Sequence, residues 1–186
     1  FYVMSALRRQ LQVQGWFDQQ QISAPNMAQY LDLVALGTVA DLVPMEHNNR
    51  ILVAQGVARI RAGKARPGLL ALLSIAKRQH HNLQASDLGF SVGPRLNAAG
   101  RLDDMSLGIE CLLSDNEQIA TQLAQELDEL NAQRRHIEAD MQQQASNILA
   151  LLETSQDNQM PKCVCLYHPD WHQGVLGIVA SRIKEK

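Results

Sequence analysis

Aromatic side chains are scarce in this chain. Three Phe, three Tyr and two Trp make up 4% of its 186 residues, so aliphatic groups must fill most of any core. Cysteine is equally sparse. Cys111, Cys163 and Cys165 contain no pair at zinc-site spacing, and so few thiols fit a reducing, intracellular, cytoplasmic setting. An excess of basic residues is also missing. The formal net charge of -2 argues against whole-molecule attraction to nucleic acid, while leaving room for a local basic groove. No apolar run approaches the length of a membrane span, and no secretory signal is visible. Residues 1–4 read as the middle of an element, and residues 182–186 stop inside a helix. The sequence is therefore expected to be an internal piece of something longer.

What is present is enough for one good-sized domain, or for one domain and part of another. Apolar spacing predicts helices over residues 1–14, 49–62, 67–77 and 105–113, and a short one over 26–31. Residues 34–36 read as a buried strand closed by Pro44. Ser114 and Glu117 have the spacing of a capping box. Beyond them Ile119, Leu123, Leu127, Leu130, Ile137, Met141, Ala145, Ile148 and Leu152 recur every three or four residues. They predict one amphipathic helix over roughly residues 115–153, without Pro or Gly. A helix this long either forms a coiled coil or bridges two domains. A polar linker over 154–161, a strand over 162–167 and a helix from 174 to 185 then read as the opening of a new α/β unit. The fold class expected is α/β, divided into residues 1–114, a long helix over 115–154, and a second domain begun at 155–186.

Three segments strand polar groups in apolar or small-residue sequence. In residues 31–44 (LDLVALGTVADLVP), Asp41 follows the expected strand. Sites form at strand C-terminal ends in α/β folds, and a carboxylate there can ligate a hard divalent cation. The alternative is a helix or turn cap before Pro44. In residues 93–104 (GPRLNAAGRLDD), Arg95 and Arg101 flank Asn97 among small residues. Their guanidinium forks suit phosphate; equally, Arg101 could pair with Asp103 or Asp104 and pin the next helix. In residues 171–182 (WHQGVLGIVASR), His172 precedes a helix start with Gly174 and Gly177, and Ser181 and Arg182 follow. Such a start is a natural anion site; a hydrogen-bonded loop histidine is the plainer reading. Arg134 and Arg135 belong either to the solvated face of the long helix or to a groove between domains.

Three motifs, residues 36–41 (LGTVAD), 93–101 (GPRLNAAGR) and 171–182, together resemble the RecJ branch of the DHH phosphoesterase superfamily over essentially the whole chain. The resemblance implies a DHH-type α/β domain, a connecting helix and the start of a DHHA1-type α/β domain. It implies a metal-dependent 5′-to-3′ exonuclease acting on single-stranded DNA in repair and recombination, with two manganese or magnesium ions that activate water and offset charge. Asp41 matches a metal-binding aspartate and His172 a catalytic position. Arg95, Asn97, Arg101, Ser181 and Arg182 match positions expected to hold substrate. The partners implied are single-stranded DNA, a single-strand-binding protein and a helicase, with no membrane and a monomeric protein. The family's other metal motifs would lie outside residues 1–186, so this stretch alone is expected to hydrolyse no DNA. Competing readings are a DHH phosphoesterase for short oligonucleotides or cyclic dinucleotides, and a non-enzymatic helical DNA-binding or assembly module using the Leu123–Met141 stripe.

Overall fold

The computed structural model describes residues 1–155 and 163–185, and every regular element among them is helical. The helices are α1 (Tyr2–Val13), α2 (Trp16–Gln19), α3 (Leu31–Ala40), α4 (His47–Arg61), α5 (Pro67–Ile75), α6 (Ala85–Asp87), α7 (Gly93–Leu102), α8 (Ser106–Leu113), α9 (Glu117–Ser155) and α10 (Leu176–Lys184). Short 3-10 turns cover Met27–Tyr30 and His80–Asn82, and a π-turn over Leu88–Val92 leads directly into α7.

The α/β expectation is therefore overturned. The supposed strand at 34–36 lies in the middle of α3. A short run that is apolar on all sides has no period to separate strand from buried helix. Here Leu31, Leu33, Ala35 and Leu36 favour the helix, and packing supplies the rest. A Cβ on Gly56 of α4 would stand 2.2 Å from the Leu31 carbonyl oxygen, so these two helices meet backbone to backbone. The second expected strand also fails. Residues 163–168 take no regular structure, and Cys163 and Cys165 are exposed rather than buried together on one face. A strand needs a neighbour for its backbone groups, and no strand exists among the described residues to supply one. The expected linker over 154–161 begins inside α9, which runs to Ser155; the rest of it and the start of that strand at 162 lie outside the described residues.

Among the described residues Asp32 is the most deeply buried charged one, with no exposed surface. Its Oδ1 accepts from the Leu33 N–H at 2.9 Å, and its Oδ2 accepts from the Arg66 N–H at 2.9 Å. One carboxylate thus starts α3 and anchors the entry to α5, where Pro67 takes the first helical position.

The long helix forms as its spacing predicts, but its cap differs. Asn116, not Ser114, takes the Gln118 and Ile119 N–H groups, at 2.9 and 3.1 Å. At 39 residues the helix is about 58 Å long. Two apolar clusters form along it. The first holds Leu36, Ile60, Leu69, Leu72, Leu88, Val92 and Leu127, with Leu123 and Leu130 against it. The second holds Met141, Ala145, Val175 and Val179, with Ile137 and Trp171 against it. The Leu123–Met141 stripe is thus covered within the chain rather than left for a coiled-coil partner. Ala120 and Ala124 are fully buried while Ile119 is half exposed, so small residues, not Ile119, face the packed neighbours.

Candidate functional site

A cleft of about 480 Å³ opens where α7, α9 and α10 converge. Helical spacing builds each wall. Pro94, Asn97 and Arg101 stand three and four residues apart on α7; Arg135, Glu138, Ala139 and Gln142 repeat the pattern on α9 beside Arg134; Ile178 and Arg182 stand four apart on α10. Four arginines face one glutamate there, in a chain whose net charge is -2.

The arginines differ in what holds them. Arg134 is largely buried; it donates to Glu138 Oε2 at 2.5 Å and to Asn131 Oδ1 at 3.2 Å. Arg182 Nε lies 3.5 Å from Glu138 Oε1. Arg101 Nη1 donates to the Gly174 carbonyl oxygen at 3.0 Å. Neither Arg101 nor Arg135 has a carboxylate partner among the described residues. An uncompensated guanidinium is a planar fork suited to a phosphate oxygen pair.

The expected site residues divide sharply. Asn97, Arg101 and Arg182 line the cleft. Arg95 does not. It sits one residue off the Pro94, Asn97, Arg101 face, lies 2.9 Å from Asp128 of α9 and donates to the Ser91 carbonyl oxygen at 2.6 Å. That clamps α7 to α9. Ser181 is exposed outside the lining. His172 Nδ1 accepts from the Gly174 N–H at 3.1 Å, closing the turn before α10. Asp41 ends α3 as its C-terminal cap residue and is exposed. Thr38 Oγ1 bonds back to the Val34 carbonyl oxygen at 2.6 Å. Asp104, not Arg101, fixes the start of α8 by accepting from the Ser106 N–H and hydroxyl, both at 3.0 Å. Those bonds hold its carboxyl below the usual range, the backbone bond contributing most.

Glu138 also lines the cleft, between Arg134 and Arg182, although its sequence position is not among the expected site residues. Its signal was present: Arg134 and Glu138 stand four apart, an ion-pair spacing, beside the apolar positions Ile137 and Met141.

No family model matches the chain. Along all 186 residues it is 60% identical to the single-stranded-DNA-specific exonuclease RecJ of Escherichia coli K12. The chain matches the bacterial RecJ family. It covers 32% of the length of that relative. Two solved structures agree. A crystal structure of exonuclease RecJ bound to manganese matches with a TM-score of 0.73 at 36% identity, over 91% of this chain and 40% of that one. RecJ of Thermus thermophilus in complex with Mg2+ matches with a TM-score of 0.72 at 35% identity, over 91% and 25% respectively. Those RecJ proteins hold divalent metal. In this chain no group of three or more His, Cys, Asp or Glu side chains suited to a metal ion is gathered among the described residues. Asp41, exposed and alone, does not fit a two-ion centre by itself. No helix among the described residues is long and apolar enough to cross a membrane.

Proposed function

We propose that these 186 residues are the strand-holding part of a RecJ-type exonuclease, a cytoplasmic, metal-dependent enzyme that removes nucleotides from the 5′ end of single-stranded DNA. In this reading residues 1–114 belong to the catalytic domain, 115–154 bridge, and 155–186 begin the second domain. Asp41 contributes one carboxylate to a metal centre whose other ligands come from chain outside these residues. The cleft between α7, α9 and α10 grips the phosphate backbone.

The observation that carries this is the local charge of the cleft: four arginines against one glutamate in a chain that is acidic as a whole. Phosphate contacts of this kind give affinity without base readout. Each contact also makes binding salt-dependent, with a slope of about -0.7 per neutralised phosphate on a single strand.

The test is fluorescence anisotropy of a 5′-phosphorylated single strand with the 186-residue chain. Binding that weakens with salt is expected. Arg101→Ala and Arg135→Ala should each weaken it and flatten the salt slope by about one contact. The same samples with manganese should release no nucleotides. Absent binding at low salt, or binding indifferent to both arginines, rejects the cleft. Robust hydrolysis abolished by Asp41→Ala rejects the incomplete metal centre.

A further inference from the structure

We propose that Glu138 is a positioning residue of the cleft, holding the Arg134 and Arg182 guanidinium groups in the geometry that receives phosphate. This rests on the reading that the cleft grips a DNA backbone.

Glu138 stands out by burial and reach. Its side chain is 14% exposed, although it lies in an open groove rather than a core. Each carboxylate oxygen serves a different helix. Oε2 receives Arg134 of α9, and Oε1 faces Nε of Arg182 on α10, forty-four residues away in sequence. Behind Arg134 stands Asn131, which is 4% exposed. The series Asn131, Arg134, Glu138, Arg182 therefore runs from a buried anchor to an arginine whose side chain is 58% exposed.

The plainer view is a surface ion pair of little consequence. Burial of both Arg134 and Glu138 argues against that. Arg182, by contrast, is a long side chain with several free torsions, and ordering it when a ligand binds costs affinity. Glu138 engages its Nε. Both terminal nitrogens stay without a protein acceptor among the described residues. A carboxylate 3.5 Å from Nε orients the guanidinium, so its outer fork has less freedom to lose when a ligand binds.

The two views differ in sign. A carboxylate inside a phosphate-binding cleft repels its ligand by charge alone, so removing that charge should tighten binding. Positioning demands the reverse. The experiment measures affinity of the 186-residue chain for the 5′-phosphorylated single strand in wild type, Glu138→Gln, Glu138→Asp, Arg182→Gln and the Glu138→Gln/Arg182→Gln double variant.

Glu138→Gln is expected to bind ~10-fold more weakly despite its more positive charge, the scale of one charge-assisted contact. Glu138→Asp should recover part of the loss. The double variant should lose little beyond Arg182→Gln alone, since both changes break one linkage. Urea unfolding of each variant confirms that the folded state is being compared. Unchanged or tighter binding by folded Glu138→Gln overturns the inference while leaving the cleft reading intact. Additive losses also overturn it. No salt-sensitive binding by the wild type removes both.

Discussion

A side chain on residue 174 would begin where the backbone of Arg101 already is. A Cβ built on Gly174 stands 2.1 Å from the Arg101 carbonyl oxygen, and Arg101 donates in turn to the Gly174 carbonyl at 3.0 Å. The end of α7 and the turn before α10 thus approach backbone to backbone, and this approach brings Arg101 and Arg182 to one cleft. Gly174→Ala should destabilise the chain by about 1–3 kcal/mol through forced separation. Thermal unfolding checks the size. Reduced DNA affinity in the folded variant checks that the separation opens the cleft. Gly177, whose Cβ would meet nothing within 4 Å, serves as the control and should tolerate Ala.

Asp32 offers a second test. Its oxygens satisfy two backbone N–H groups, one at the start of α3 and one at the entry to α5. Asp32→Ala leaves both donors without that acceptor and should cost about 2–4 kcal/mol in urea unfolding. Asp32→Asn keeps an acceptor oxygen and should cost less. Equal stability of Asp32→Ala and wild type would refute this role.

The three cysteines should separate by reactivity. Cys111 is fully buried, and burial pushes its thiol up to about 11, whereas Cys163 and Cys165 are exposed. A thiol reagent at neutral pH should modify two cysteines quickly and the third only on unfolding. The linkage has a definite sign. The folded state keeps its proton up to about 11, while the unfolded thiol loses it near 9. Stability from this group is therefore present below about pH 9 and falls as pH rises towards 11. Cys111→Ala should flatten the fall across that window.

Much of the helical content was legible because it is periodic. The stretch from Leu123 to Ala145 repeats every three or four residues, and α9 forms over nearly its expected span. Pro67 marked the start of α5. The all-apolar run at 31–40 carried no period, and its strand reading failed for that reason. Residues 93–102 hid a helix behind Gly93, Pro94 and Gly100. Yet Pro94, Asn97 and Arg101 already have the spacing of one helical face, and Arg95 falls off it.

The sequence by itself determined where the longest helix forms, since periodicity is local, and it carried the motifs on which the RecJ resemblance rests. Only the tertiary structure decided which of the marked residues meet. Arg95 turned to Asp128 and His172 to the Gly174 N–H, while Arg101 and Arg182 joined Arg134, Arg135 and Glu138 in one cleft. The reason is geometric. Where a side chain ends depends on how closely helix backbones cross, and here a missing Cβ at Gly174, far from Arg101 in sequence, sets that distance.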